Sequence, residues 1–241
     1  MYTSVKDYLS PDTELSEIVL SHPRTLLLLE HLEISVPIHS KSVSKICSEK
    51  KISEGLFVSL ANLYMGNQIT DRSKINISDL PVIIQFLKKS HSYYHEVYPQ
   101  IQKSIQSLQQ VNNSPEITMV EKFFREYFLE VKEHLDYEDE IVFPYIHTVY
   151  DCLNNKKPFD LVSSYSVTEY KDHHNDIEEK LNDLMNLLIK YLPQKNDMQQ
   201  RRILFMALSD VNFDLGIHSR VEEEILIPLV EKAEDQLARR A

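Results

Sequence analysis

Glycine is almost absent from this sequence, and its scarcity limits the folds that the chain can adopt. The 241 residues contain only 3 glycines beside 10 prolines, where average usage would give about 17 glycines. Sheets joined by tight turns depend on glycine for backbone conformations with positive φ. Gly55, Gly66 and Gly216 also lie too far apart to form a glycine-rich phosphate loop. The composition excludes such loops, disfavours sandwiches, barrels and Rossmann-type folds, and predicts an all-α chain.

Charge and cysteine content narrow the functional class further. The net charge is −11, from 37 acidic and 26 basic residues, which argues against the clustered Lys and Arg of a nucleic-acid interface. No apolar run approaches the roughly 18 residues of a membrane span, and residues 1–7 lack a signal-peptide pattern. The two cysteines, Cys47 and Cys152, cannot form a disulfide framework. We expect a cytoplasmic protein that binds neither nucleic acid nor membranes.

Polar segments and prolines divide the chain into three parts. Residues 1–66 predict a small N-terminal domain of short helices, with a first N-cap at Asp12 or Thr13 and a break at Pro23. Residues 67–78 are polar and predict a linker, and residues 79–241 follow as the main domain.

The main domain contains four long amphipathic stretches separated by short loops. Because short loops join antiparallel neighbours, this pattern predicts an up-down four-helix bundle. The stretches cover about residues 79–110, 115–152, 160–192 and 196–238.

A histidine-centred repeat occurs in the second and fourth stretches. The segments beginning at His134 and His218 share Glu at +4, Glu at +6, Ile at +7 and Pro at +10, and they lie 84 residues apart. A proline inside a helix costs about 3 kcal/mol. Its recurrence at one offset, at Pro144 and Pro228, therefore indicates a shared architecture.

The first and third stretches each carry a histidine at a matching distance. His91 precedes His134 by 43 residues, and His174 precedes His218 by 44. Residues four apart share a helix face, so His134 pairs with Glu138, and His218 with Glu222. Four imidazoles and two carboxylates at the bundle centre suit two metal ions with both carboxylates bridging. This donor set favours iron, manganese or zinc over calcium.

Some neighbouring residues leave alternatives open. His95 lies one turn after His91, and His173 lies beside His174, so either can replace or support a ligand. Tyr94 and Tyr137 lie within a turn of ligands and can donate hydrogen bonds to a bound oxygen species, or can be ordinary core aromatics. The remaining polar candidates are interpreted as surface or solvated groups: His22, His31, His39, His147, Glu178, Glu223 and Glu224.

These motifs resemble the hemerythrin-like (HHE cation-binding) domain over about residues 79–235. The resemblance is greatest to the iron–sulfur cluster repair di-iron proteins, also called regulators of cell morphogenesis and NO signalling. It implies a hemerythrin-like bundle holding two non-haem irons, bridged by carboxylates and an oxo group, with manganese or zinc as other metals. The implied ligands are His91, His134, Glu138, His174, His218 and Glu222.

The N-terminal segment departs from that family at one place. Residues 13–65 are similar to the family's small helical domain, but residues 34–40 read Ile-Ser-Val-Pro-Ile-His-Ser where the family has a Cys-Cys-Gly-Gly stretch. A thiol role for this domain is therefore not expected here.

The resemblance implies assistance in repairing iron–sulfur clusters under nitrosative or oxidative stress, by iron delivery to damaged iron–sulfur proteins. The alternative is a sensor or scavenger whose di-iron centre binds O₂, NO or peroxide. A third interpretation is a bundle without metal that serves as an interaction module. Catalytic turnover is not specified by any motif, and a homodimer is compatible with the pattern.

Overall fold

The protein is all-α. The computed structural model describes residues 9–69, 71–155, 166–173, 177–193 and 195–239, leaving aside the side chains of residues 155, 171–173 and 177–179. Within these residues there is no β-strand, and one isolated antiparallel bridge joins Glu14 and Ser42. The predicted all-α helical bundle is confirmed. None of the described helices combines the length and apolar character that crossing a membrane requires.

Four short helices occupy the N-terminal part of the chain. The break expected at Pro23 separates the first two of them, and Ser42 and Ser53 cap the next two by accepting hydrogen bonds from Lys45 N and Leu56 N. The helices are α1 (Leu15–Ser21), α2 (Thr25–His31), α3 (Val43–Lys50) and α4 (Glu54–Tyr64).

The first N-cap prediction is wrong. Helix α1 begins at Leu15 with Glu14 as N-cap, and no side chain caps it. The Thr13 hydroxyl instead accepts a hydrogen bond from Ser10 N at 3.2 Å. The segment that looks like a helix start is thus used in a turn that precedes the helix.

His39, within the segment that departs from the family pattern, keeps a conformation typical of glycine. Its φ is 51°, in the left-handed region that side chains other than glycine rarely adopt.

Long helices follow two short 3₁₀ turns, Arg72–Lys74 and Ile77–Asp79. Asn76 caps the second of these turns in a capping box, in which Asp79 Oδ2 accepts a hydrogen bond from Asn76 N at 2.8 Å. Residues of the third predicted stretch lie partly outside the described residues. The long and connecting helices are α5 (Leu80–Val111), α6 (Pro115–Tyr137), α7 (Phe143–Asn155), α8 (Val167–His173), α9 (Ile177–Lys190), α10 (Met198–Val221) and α11 (Ile227–Ala238).

Two π-helical turns interrupt the second and fourth stretches at the same place in the repeat. Turn π1 (Glu138–Val142) joins α6 to α7, and turn π2 (Glu222–Leu226) joins α10 to α11. The amides of Phe143 and Ile227 donate to the carbonyls of Glu138 and Glu222, five residues earlier. The repeated proline is the second residue after each turn, and it has no N–H for the usual bond to the carbonyl four residues before it. The wider turn accommodates that proline without ending the helix.

The chain divides into two compact units. The first comprises Met1–Lys89, Tyr145–Val167 and Ile217–Ala241, and the second comprises Ser90–Pro144 and Thr168–Gly216. The domain limits expected at residues 66 and 78 remain predictions.

In the second unit, four helices share one apolar core. The core takes buried side chains from α5, α6, α9 and α10, among them Ile105, Phe124, Leu184 and Leu208. The spacing of these residues is the amphipathic pattern from which the bundle was predicted.

In the first unit, α4 packs closely against the 3₁₀ turn Arg72–Lys74. A Cβ atom added at Gly55 would collide with the backbone carbonyl of Lys74. The predicted linker is therefore packed against the helices that precede it. A separate apolar cluster of this unit joins α7 to α11 through Val149, Leu153 and Ala233.

Candidate metal centre

In the second unit, two of the predicted histidine ligands converge on one buried carboxylate. His134 and Glu138 are four residues apart on the continuous helix formed by α6 and π1, so they share a face. His134 Nε2 lies 2.9 Å from Glu138 Oε1, and His91 Nε2 of α5 lies 3.2 Å from Glu138 Oε2. Glu138 is fully buried and the His91 side chain is 2% exposed. Each oxygen of the carboxylate thus faces one imidazole nitrogen.

Two further side chains support this arrangement. The Tyr170 hydroxyl donates to Glu138 Oε1 at 2.9 Å, and Tyr170 is itself 1% exposed. Asp139 Oδ2 lies 3.2 Å from His91 Nδ1, the ring nitrogen that faces away from Glu138. Metal-binding histidines commonly donate their second ring N–H to a carboxylate, which fixes the tautomer and the ring orientation. His91 and Asp139 lie within the distance of such a pair.

Tyr170 was not identified from the sequence, although a usable signal exists. It precedes His174 by four residues, which is the spacing that places His134 and Glu138 on one face. The two tyrosines that the sequence analysis considered have other surroundings. Tyr94 donates to the buried Asp214 Oδ2 at 2.9 Å, and Tyr137 is half-buried.

The first unit carries the second His–Glu pair. His218 lies near the end of α10, and Glu222 is the first residue of π2, as Glu138 is of π1. His218 Nε2 lies 3.3 Å from Glu222 Oε1, and the two side chains are 3% and 0% exposed. The repeat therefore gives the same local geometry twice, with the glutamate at the start of a π-turn in both copies.

The interpretation of Glu224 as a solvated charge is wrong. Its carboxylate accepts hydrogen bonds from Arg220 Nε at 2.7 Å and from Arg72 Nη2 at 2.9 Å. Partial burial by itself raises the pKa of Glu224, but the two guanidinium partners outweigh that effect and hold the pKa below its usual value. Arg220 also donates to the carbonyl of Asn67 at 3.4 Å. The predicted linker is thus bound through two arginines to the segment that carries Glu222.

The remaining histidine candidates fall into three groups. His174 lies outside the described residues, as does the side chain of His173. His95 is exposed, with its ring edge-on to that of Phe128. His31, expected at the surface, is fully buried between the rings of Tyr64 and Phe86.

The donor set fits a metal ion. Burying a carboxylate without a compensating positive charge is costly, and both Glu138 and Glu222 are fully buried. Imidazole nitrogen and carboxylate oxygen are the donors that iron, manganese and zinc accept. Among the described residues, the histidine and glutamate side chains that can hold a metal ion are His91, His134, Glu138, His218 and Glu222. The predicted set of six ligands, with His174 outside the described residues, remains a prediction.

Comparison with known proteins gives one relevant similarity. No protein-family model matches the chain. The chain is similar to the "Iron-sulfur cluster repair protein ScdA" of Staphylococcus haemolyticus (strain JCSC1435), with 22% identity over 190 residues, which cover 77% of this chain and 82% of the relative. The resemblance to the iron–sulfur cluster repair proteins, predicted from the paired motifs, is confirmed by this similarity.

Proposed function

We propose that this chain is a cytoplasmic non-haem di-iron protein that assists the repair of iron–sulfur clusters under nitrosative or oxidative stress by delivering iron. The observation that carries the proposal is the repeated pair of a histidine and a fully buried glutamate, with each glutamate at the start of a π-turn. In this proposal two irons are held by His91, His134, Glu138, His174, His218 and Glu222. When bound, iron supplies both a redox-active Lewis acid and the cargo to be transferred.

The chain's own groups suit a site that exchanges metal. Glu138 and His91 are buried, but the His134 side chain is 12% exposed and that of Asp139 is 39% exposed. Solvent therefore reaches the groups beside the buried carboxylate. An iron donor needs such access, whereas a closed structural site does not.

The test is a transfer experiment with a damaged iron–sulfur enzyme. The iron-loaded protein is mixed with a nitrosylated or oxidised cluster enzyme, and recovery of the enzyme's activity is compared with that given by the same amount of free iron. The proposal expects recovery above the free-iron control, and equal recovery would contradict it.

Two variants make the same test specific for the site. Glu222→Gln removes the carboxylate of a predicted ligand. Glu234→Gln is the control, because Glu234 accepts a hydrogen bond from the Tyr145 hydroxyl and is not among the predicted ligands. We expect recovery to be lost only in Glu222→Gln. The amount of iron bound per chain, measured beside it, shows whether the loss follows the metal.

A second candidate function is the binding of a small gas, as in a sensor or scavenger of O₂ or NO. One observation favours it: the second unit contains a cavity of about 20 Å³ lined by apolar and aromatic side chains, including Tyr94, Val131 and Leu215. That volume admits one molecule of about the size of water, and its lining favours an apolar guest. Tyr94 and Val131 each lie three residues from a predicted ligand, His91 and His134 respectively.

Spectroscopy separates the two functions. A sensor or scavenger shows a reversible change in the absorption spectrum with O₂ or NO and transfers no iron. Recovery of a damaged cluster enzyme without such a change would instead exclude the gas-binding function.

A further inference from the structure

Tyr170 marks a difference between the two copies of the repeated pattern that make up the predicted centre. In the repeat, the residue four before His174 is Tyr170, and the residue four before His91 is Leu87. A leucine side chain has no hydrogen-bond donor. The first two predicted stretches and the last two thus match in their histidines and glutamates, in their prolines and in their π-turns, but they differ at this position.

The hydrogen bond of Tyr170 is placed to hold a ligand in orientation. Its hydroxyl donates at 2.9 Å to Glu138 Oε1, the same oxygen that His134 Nε2 approaches at 2.9 Å. Both Tyr170 and Glu138 are almost completely buried, so water does not compete for this bond. A carboxylate oxygen has two lone pairs. Tyr170 can therefore keep its bond while the other lone pair of Oε1 faces a metal.

We propose that Tyr170 is a positioning residue for metal binding: its hydroxyl holds the Glu138 carboxylate in the orientation of a ligand, and Glu222 has no tyrosine at the corresponding repeat position. The inference rests on the proposed metal centre and adds a residue that lies outside the predicted ligand set. Groups that form a hydrogen bond to a metal ligand, without binding the metal themselves, typically contribute 10–100-fold to metal affinity. Loss of the Tyr170 hydroxyl therefore weakens metal binding through Glu138.

The first measurement compares two conservative tyrosine variants. Co(II) affinity is obtained by competition with a chelator for the full-length protein, for Tyr170→Phe and for Tyr94→Phe. Tyr94 is the matched control because it also donates at 2.9 Å to a buried carboxylate, Asp214, which is not a predicted ligand. We expect a 10–100-fold loss of Co(II) affinity in Tyr170→Phe and a change below about threefold in Tyr94→Phe. Circular dichroism and the melting temperature of both metal-free variants show that they fold.

A double-mutant cycle then identifies the ligand through which Tyr170 acts. Adding Tyr170→Phe to Glu138→Gln should cause no further loss of Co(II) affinity, because the carboxylate it positions is gone. Adding it to Glu222→Gln should still cause the 10–100-fold loss. A merely structural role of Tyr170 would lower affinity equally in both backgrounds, and that result would overturn the inference.

Other outcomes are equally decisive. Unchanged affinity in Tyr170→Phe, or no Co(II) binding by the unmodified protein, overturns the inference. Failure of the proposed repair function is recognised separately, because it appears as absent recovery of a cluster enzyme while the Co(II) cycle keeps its predicted pattern.

Discussion

At the scale of single residues, Lys51 occupies a position that favours glycine. It follows the last residue of α3 with a φ of 58°, and the next amide, Ile52 N, donates to Cys47 O at 3.0 Å. This is the usual left-handed end of a helix, at which a side chain other than glycine is strained. We expect Lys51→Gly to raise the free energy of unfolding by about 0.5–1 kcal/mol, measured by urea denaturation.

Lys45 provides the matched control for this change. It lies inside α3 and is exposed, so Lys45→Gly should lower the free energy of unfolding by about 1 kcal/mol. If both substitutions destabilise the protein, Lys51 does not carry the expected strain.

A buried ion pair in the second unit gives a prediction that depends on pH. Asp197 is fully buried and accepts hydrogen bonds through Oδ2 from Arg201 at 2.9 Å and from Asn112 at 2.7 Å. Burial alone would raise the pKa of Asp197, but these two donors more than offset it and hold the pKa below its ordinary value of 3.8. The pair's contribution to stability is therefore complete above that value and is lost as the pH falls through the lowered pKa.

Removing the charge of Asp197 leaves the buried guanidinium of Arg201 without a carboxylate, with only backbone carbonyls to accept its other hydrogen bonds. We expect Asp197→Asn to lower the free energy of unfolding at pH 7 by about 3–5 kcal/mol. The free energy of unfolding should also fall less steeply in the variant as the pH is lowered. Asp183→Asn, at an exposed position of α9, serves as the control and should change stability by less than about 0.5 kcal/mol. An equally steep acid decline in Asp197→Asn would contradict this account.

Residue types predicted some environments and missed others. The pairs of His134 with Glu138 and of His218 with Glu222 follow from helical spacing alone. His31 and Glu224 were misjudged because their partners, Phe86 and Arg72, are distant in sequence. A lone histidine or glutamate carries no sign of a contact that only the folded chain creates.

At the scale of elements, two glycines in helices have opposite surroundings. Gly55 of α4 faces the backbone of Lys74, whereas a Cβ at Gly216 of α10 would have no atom within 4 Å. Gly55→Ala should therefore destabilise the metal-free protein by about 1–3 kcal/mol through overpacking. Gly216→Ala should stabilise it by about 0.5–1 kcal/mol through helix propensity.

Thermal or urea unfolding of the two variants measures both effects. Because the same methyl group is added to a helix each time, the comparison isolates the close packing of α4 on the 3₁₀ turn. Equal stabilisation of the two variants would show that the turn at Arg72–Lys74 moves to make room for the added methyl group.

The elements themselves were largely predictable, apart from the π-turns. Short helices were expected within residues 1–66, and Pro23 marked the break between α1 and α2. The repeated prolines, Pro144 and Pro228, indicated a shared architecture but not the π-turns that precede them. Periodicity does not distinguish a kink from a wider turn, since both interrupt the same apolar stripe.

At the scale of the whole molecule, the buried glutamates connect metal content with stability. A ligand that binds only the folded state stabilises it by about 2.7 kcal/mol at 100 times its dissociation constant. We expect metal to raise the melting temperature and a chelator to reverse the rise. Calorimetry of the metal-free and loaded protein measures both.

Glu222→Gln tests the same link between metal content and stability by removing a predicted ligand instead of the metal. Without metal, the variant should be at least as stable as the unmodified protein, because it removes a fully buried charge. With metal, it should show a smaller rise in melting temperature. A large destabilisation of the metal-free variant would mean that Glu222 serves the fold more than the metal.

The all-α class of the molecule could be predicted because glycine scarcity and amphipathic periodicity agree. The division into two compact units could not, because it depends on contacts between distant parts of the chain, such as Arg72 with Glu224.

The two π-turns also bear on the direction in which side chains leave the helices. A π-turn holds five residues where an α-helix would close its hydrogen bond over four, and both turns come directly after the histidine-to-glutamate step. The residues that follow each glutamate are therefore rotated about the helix axis relative to an uninterrupted α-helix. The apolar faces of α7 and α11 are set by that rotation, at the same step of the repeat in both copies.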